Sequence, residues 1–419
     1  MLWGAGSLPY NGNSIVRGKA DFMKGQIIKD VIINKAASEK VARFFPWVYD
    51  NEILRCPQDI RRGELIKVCS PSGSFLGVGY INLKSTIAVR ILSFVERPID
   101  GAFLTEKISK AWERRQGLMR HTNACRVVHS EADDLSGLVV DYYNGYLSIQ
   151  INTAGMENLR SGIISALERV IQPRGIYERS DARSRAKEGL DTTEGVLSGE
   201  IPDEIVVEEK GVRFCIRMRE SQKTGFYLDQ RRNREIVSSC VGEGFRVLDV
   251  FSNTGGFGIH AALRGAAAVT LVDVSSPALD LAAVNARLNG LKNVATAKAD
   301  AFDYLDGAFK KGKRFDLIVL DPPSFTKTKS SRGGALKGYR RLMLAGLRLL
   351  KPEGYLAFFS CSHHISLEDL KRISLDAAEE TDSRLEVVEH LFQDRDHPYM
   401  ISIPQSFYLK GVLFRKSLP

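Results

Sequence analysis

Residues 246–257, Arg-Val-Leu-Asp-Val-Phe-Ser-Asn-Thr-Gly-Gly-Phe, limit what this chain can fold into more than any other stretch. Val247, Leu248 and Val250 form a short β-type run. Thr254, Gly255 and Gly256 interrupt it, and from Phe257 to Leu263 the apolar residues recur at helical spacing. This is strand, glycine turn, helix. Glycine lets a backbone approach a ligand closely, and the start of a helix offers unpaired N–H groups.

Downstream, strand-type and helix-type segments alternate. RVLDV, AVTLVDV, NVATAKAD, FDLIVLD and GYLAFFSC read as strands; FGIHAALRG, PALDLAAVNARLNG, AFDYLDGAFKKG and LKGYRRLMLAGLRLL read as helices. That alternation predicts an α/β fold with a doubly wound, mostly parallel sheet, in which ligands sit beyond the carboxyl ends of the strands. Asp273, Asp321 and Cys361 all fall at such ends. Asp273 can accept hydrogen bonds from both ribose hydroxyls. The T-G-G-F run departs from G-x-G-x-x-G, and G-x-x-x-x-G-K-[ST] is absent, so an adenosine ligand without a pyrophosphate fits best. S-adenosylmethionine (SAM) is such a ligand; other nucleotides, or a ligand-free βαβ turn, remain open on these residues.

Asp321 opens Asp-Pro-Pro-Ser-Phe, where two prolines hold the backbone extended and a carboxylate could meet a base edge. Cys361 follows the next strand in FFSCSHH. Cytosine C5 is a poor nucleophile; addition of a thiolate to C6 makes C5 enamine-like, and cysteine is the side chain suited to that addition. The alternative for Cys361 is a small core residue. Residues 324–351 carry eight Lys and Arg and no Asp or Glu, a pattern that suits RNA phosphates or a solvated helix face.

Upstream, residues 1–22 are rich in Gly, Ser and Asn and read as a disordered extension, with a patterned segment beginning at Met23. Residues 23–95 contain four strand-type runs and the aromatic cluster Phe45-Pro46-Trp47-Val48-Tyr49. From 23 to 94 there are 11 Lys and Arg against 6 Asp and Glu, which suits RNA, although Phe44 and Trp47 also suit a core. Residues 96–195 read as an α+β unit with a hairpin at Asn144-Gly145, followed by a charged stretch with Arg174, Arg179, Arg183 and Arg185 nearby. Residues 205–219 form a hairpin turning at Lys210-Gly211 that leads into the last domain, 196–419.

The formal charge of +9 favours polyanionic partners. No apolar run approaches the roughly 20 residues that span a bilayer, and the N-terminus lacks a signal peptide's apolar core. The six cysteines form no CxxC pair, so neither a metal site nor a disulfide framework is expected and a reducing cytoplasm is the default.

From Met23 onward the chain resembles the bacterial 23S ribosomal RNA cytosine-5 methyltransferases that carry an N-terminal PUA domain. The resemblance rests on FPWVYDNEI (45–53), GYINLKSTIAVRILS (79–93), EADDLSGLVVDYY (131–143), YERSD (177–181), KTGFYLDQR (223–231), LDVFSNTGGF (248–257), DVSSPAL (273–279), DPPSF (321–325) and FSCS (359–362). It implies a PUA-type β domain, a small α+β domain and a Rossmann-like methyltransferase domain acting on large-subunit ribosomal RNA. It implies SAM contacts from Phe226, Tyr227 and Gln230, from Asp249 and the turn Phe251, Ser252, Asn253, Thr254, Gly255 and Gly256, and from Asp273, Asp300 and Asp321. Asp321 would stand between methyl donor and base, with Cys361 the nucleophile. Guanine-N7 methylating relatives share the KTGFYLDQR and DPP segments but lack the cysteine, so Cys361 decides between the two. Phe45 replaces the usual His before Pro-Trp, and Asn253 the usual Tyr of the turn. A homodimer through strand edges of the small β domain is a further expectation.

Overall fold

The computed structural model describes residues 28–220, 225–326 and 329–417. The expected extension 1–22 lies outside them, as do Lys223, Thr224 and Lys327.

The N-terminal unit is a six-stranded sheet. Lys29–Ile33, Glu64–Cys69, Phe75–Ile81 and Val89–Ser93 follow the apolar runs, and the helix Lys35–Ala42 covers them, capped by Asn34 through the Ala37 N–H at 2.8 Å. The two edge strands, Trp47–Val48 and Ile53–Arg55, are very short, which gives another chain little edge to pair with. Phe44 is exposed, while Trp47 is half-buried and donates from Nε1 to Glu131 Oε1 at 3.1 Å, tying this unit to the next.

The central unit is a five-stranded sheet covered by the helices Gly101–Arg115 and Arg160–Ile171. Leu138–Tyr143 and Tyr146–Ile151 turn at Asn144 and Gly145, both at positive φ, as an Asn-Gly hairpin requires. The last strand of this sheet is Glu194–Gly199, so a cut after 195 would divide a strand. Within the charged stretch, Ala182–Lys187 is a short helix, and Arg185 is buried against Glu157 Oε2 (2.7 Å) and the Ile151 carbonyl (2.6 Å) rather than facing solvent.

The C-terminal unit begins with the hairpin Ile205–Glu209/Val212–Ile216, turning at Lys210 and Gly211. Its sheet contains β1 (Arg246–Val250), β2 (Ala268–Asp273), β3 (Val294–Lys298), β4 (Phe315–Leu320), β5 (Leu350–Ser360), β6 (Arg384–Phe392) and β7 (Lys410–Ser417). The spatial order is β3-β2-β1-β4-β5-β7-β6, and β7 alone runs against its neighbours. Apolar clusters fill both faces: Leu248, Ile318, Leu356 and Phe358 point to one, Val247, Leu317, Ala357 and Phe359 to the other. Burial on both faces is why the central strands read as continuous apolar runs. The order reverses at β1 and β4, opening a crevice beyond their carboxyl ends. Among the described residues no helix is long and apolar enough to cross a membrane.

A buried polar network joins the units behind that crevice. Glu209 at the hairpin end accepts from Arg234 Nη2 at 2.6 Å and Nε at 3.0 Å. Arg231 donates to Asp394 Oδ2 at 2.7 Å, Asp396 Oδ2 at 3.0 Å and the Ala124 carbonyl at 2.8 Å. Asp396 also accepts from the Arg126 N–H at 2.9 Å. Arg234 then donates to the Tyr227 carbonyl at 2.9 Å, so the network fixes the segment that faces the crevice.

Candidate active site

The turn after β1 is held open by its own backbone. Phe251 and Asn253 adopt positive φ (63° and 48°), and Gly255 sits at 84°, where a Cβ would stand 2.9 Å from Leu271 Cδ1. Asparagine tolerates the left-handed region better than most residues, so Asn253 is suited to its place. The helix Gly256–Leu263 starts with no side-chain cap. Its Gly258 N–H donates to Asp249 Oδ2 at 2.9 Å, and the Thr254 carbonyl accepts from the buried Asn285 at 3.1 Å. Asn285 is a brace that sequence reasoning missed; it lies on another helix, and nothing local marks it.

Asp273 at the end of β2 accepts from the Asn253 N–H through Oδ2 and from the Ser275 N–H through Oδ1, each at 2.9 Å. Each oxygen retains a lone pair for a ribose hydroxyl. Asp300 is exposed and caps the helix Ala301–Lys310 through the Phe302 N–H at 2.8 Å. Ser252 Oγ is buried and finds no partner among the described residues, an unsatisfied donor at the turn that a polar ligand would satisfy.

From the other side come Phe226, Tyr227 and Gln230. The Phe226 ring is buried, packed on Phe214 at 4.8 Å and beneath the Arg234 guanidinium at 4.5 Å. It holds the segment in place. Gln230 is buried and donates to Asp321 Oδ2 at 2.9 Å, directly linking this segment to the tip of β4. Tyr227 is partly exposed. Its hydroxyl is pushed up to about 12 by burial and then by the negative charge of Asp321, Asp229, a Cys361 thiolate and Asp273, which places it among them. Cys361 follows β5 directly and is half-buried, beside rather than inside the core.

Burial pushes Asp249 up to about 8; the Gly258 N–H opposes the rise and the charges of Asp321 and Asp273 add to it. Asp273 and Asp321 stand at strand ends beside the crevice with Asp249 buried behind the turn, and negative charge there favours a cation. The sulfonium of SAM is one.

The chain matches the model of the S-adenosylmethionine-dependent methyltransferases over residues 132–415 and that of the PUA-like domain over 31–94. It is a SAM-dependent methyltransferase. It is 39% identical over 379 residues to "Ribosomal RNA large subunit methyltransferase I" of Shewanella amazonensis, covering 89% of this chain and 96% of the relative. It is 38% identical over 391 residues to the protein of that name in Aeromonas salmonicida, covering 92% and 98%. The fold of SMU.776, solved in complex with SAH, aligns with a TM-score of 0.81 at 21% identity over 93% of this methyltransferase and 100% of that chain.

The fit of SAM to this methyltransferase gives a pH prediction. Asp249, pushed up to about 8, gains its negative charge behind the turn as pH rises through that value, which would favour a cationic ligand in the crevice over a neutral one. SAM affinity should therefore rise as pH goes from 6.5 to 8.5, by a few-fold, with SAH, whose sulfur is neutral, showing a smaller rise. Isothermal titration across that range checks this, and Asp249→Asn should bring the two ligands' profiles together.

The tertiary structure also changes how the basic run 324–351 is read. Arg332 pairs with Asp369 at 2.7 Å, Arg340 and Arg348 with Glu380 at 2.8 and 3.1 Å, Arg341 with Asp306 at 3.4 Å and Lys351 with Asp316 at 2.8 Å. Acids from other elements complement a stretch that contains none. The pairs of Arg340, Arg341 and Arg348 are exposed on both sides and contribute little to stability, so these arginines could exchange a carboxylate for a phosphate at small cost.

A second residue missed from sequence is Lys410, at the start of β7. It is buried and donates from Nζ to the Ser362 carbonyl at 2.6 Å, one residue beyond Cys361.

Proposed function

We propose that this SAM-dependent methyltransferase forms 5-methylcytosine in large-subunit ribosomal RNA, with Cys361 as nucleophile and the site residues named above holding SAM. The observation that carries the reading is the placement of a half-buried cysteine at the end of β5 and a carboxyl at the end of β4, both electrostatically coupled to the Tyr227 hydroxyl. The RNA assignment is supported by the names of the relatives, by the basic surface and by the PUA-like domain.

When bound, SAM supplies an electrophilic methyl group. The Cys361 thiolate would add its electron pair to cytosine C6, the C5–C6 π pair moving to C5, and Asp321 would meet N3 by hydrogen bond once it has taken up a proton. C5 would then bond the methyl group as the methyl–sulfur bond breaks, the sulfur keeping that electron pair as the neutral thioether of SAH. Loss of the C5 proton restores the C5–C6 double bond, and the cysteine sulfur leaves with its electron pair. Gln230, bonded to the Asp321 carboxyl, orients it toward the base. Cytosine chemistry needs a thiol in this way, whereas methylation of an exocyclic amine or of guanine N7 does not.

Tritiated SAM incubated with the protein and large-subunit RNA, followed by nucleoside analysis, tests the proposal. Label in 5-methylcytidine is expected; label in 7-methylguanosine or a methylated adenosine overturns it. Transfer should fall steeply as salt rises from 50 to about 200 mM. Light scattering tests the homodimer, against which the short edge strands speak.

A further inference from the structure

We propose that a pocket between the central sheet and the methyltransferase domain receives an unstacked base of the substrate RNA, that of a nucleotide adjacent to the methylated one. The inference rests on the proposed function for RNA as the substrate, but not for which base atom is methylated.

The pocket has a volume of about 390 Å³. Two units build it. The strand Ala124–His129 supplies Arg126 and His129, and the strands Leu138–Tyr143 and Tyr146–Ile151 supply Val139 and Gln150. Residues 225–229 face them, together with His397 and Tyr408 from near the end of the chain. Neither Asp321 nor Cys361 lines the pocket, so it is separate from the seat that the target cytosine would take. It borders that seat on two sides. The wall 225–229 runs directly into Gln230, which donates to Asp321 Oδ2 at 2.9 Å. The Tyr408 ring centre lies 6.4 Å from that of His363, two residues after Cys361.

The lining disfavours a phosphate and suits a base. Arg126 is the one Lys or Arg among the described lining residues, and its charge is already matched: Nε and Nη2 donate to Asp141 at 2.8 and 2.9 Å. Burial, and then the charges of His397 and Arg126, keep His129 neutral. The carboxyls of Asp181 and Asp229 also line the pocket, so the balance there is negative and repels a free anion. A neutral base meets no such repulsion. For its edge there is the Gln150 amide: Oε1 accepts from Asn152 at 3.2 Å, and the Nε2 protons have no acceptor among the described residues. For its face there are rings. His129 lies 6.1 Å from Tyr408, their planes 31° apart, and 5.1 Å from His397, while Tyr227 is partly exposed beside them. Rings for stacking and amides for the base edge are how proteins hold single-stranded RNA. Drawing a target base out of its stack also unstacks its neighbour, and holding that neighbour in a second pocket offsets the cost.

The test combines two variants with ultraviolet cross-linking of the full-length protein, in the presence of SAH, to large-subunit RNA. Ser184→Trp fills the pocket, which Ser184 lines, and Gln150→Leu removes the amide while keeping its bulk. SAM titration and a thermal melt confirm that each variant is folded. Both should raise Kd and KM for RNA by about tenfold, the loss of one base contact, with kcat little changed and SAM affinity unaltered. Mass spectrometry of the cross-linked parent should find nucleotide adducts on His129, Tyr227 or Tyr408, to a nucleotide adjacent to the one that carries the methyl label. Unchanged RNA affinity in both folded variants overturns the proposal. Pocket adducts to the methylated nucleotide itself also overturn it, since the pocket would then be the target's own seat. So does a Ser184→Trp protein that loses SAM affinity but not RNA affinity, which would give the pocket to the cofactor. The expected variant effects and adducts in a protein whose label appears in 7-methylguanosine would keep the pocket and overturn the proposed function instead.

Discussion

Cys361→Ala should bind SAM like the parent and form no detectable 5-methylcytosine, a loss of at least about 10⁴-fold in kcat. Without the C6 adduct, C5 has no electron pair to offer the methyl group, and positioning by Asp321 and Gln230 cannot compensate. Other groups at the site remain in place: Asp273 still accepts from the Asn253 and Ser275 N–H groups, and Gln230 still holds Asp321. The half-buried thiol fills little of the core, so the variant should unfold close to the parent's temperature. Titration with SAM, a thermal melt and nucleoside analysis separate the three effects. Full methylation by the variant would refute the thiol mechanism while leaving SAM binding untouched.

Glu209→Ala should be strongly destabilising. Glu209 is 1% exposed and carries a bidentate bond from Arg234, itself 2% exposed. Removing the carboxylate strands a buried guanidinium, at a cost of about 3–5 kcal/mol. The melting midpoint should fall by roughly 5–10 °C. The effect should also reach the site, since Arg234 bonds the Tyr227 carbonyl and lies over the Phe226 ring; SAM affinity should weaken even at temperatures where the variant is folded. Acid should reproduce part of this loss in the parent. Burial alone would raise the Glu209 carboxyl, but the charges of Arg234 and Arg231, the nearby His260 and the bonds from Arg234 bring it down to about 2 from its ordinary 4.5. A depressed carboxyl stabilises the fold above its unfolded value, and that contribution disappears as pH falls from about 4.5 to about 2. Melts of parent and variant from pH 7 downward should therefore converge in that window. Parallel curves would show that Glu209 does not carry the pairing energy.

Much of the site was legible because it is local. The hydrophobic runs before Asp249, Asp273 and Asp321 are buried on both faces, so they stand out without any knowledge of their neighbours, and the glycine turn announces its own conformation. The hairpins at Asn144-Gly145 and Lys210-Gly211 were legible for the same reason. The limits were also physical. The strands β6 and β7 escaped, since β6 is an edge strand with mostly exposed residues and β7 begins with a buried lysine. Two helices, Ala154–Asn158 and Arg160–Ile171, meet at Leu159, a break that periodicity does not record. Arg185, in a charged stretch that reads locally as solvated, is a buried structural cation, because the carboxylate and carbonyls that receive it come from other parts of the central unit.

By itself the sequence determined the order of strands and helices from 246 to 361, the turn that approaches a ligand, and the placement of one carboxyl and one sulfur at neighbouring strand ends; period, glycine and apolar length act over a few residues, so a few residues suffice to show them. Only the tertiary structure decided which charges are spent on one another. It set acids of distant elements against the basic run, locked Glu209 onto Arg234, tied Gln230 to Asp321, and brought a lysine from the last strand beneath the cysteine loop, because burial and ion pairing depend on what the chain brings together across hundreds of residues.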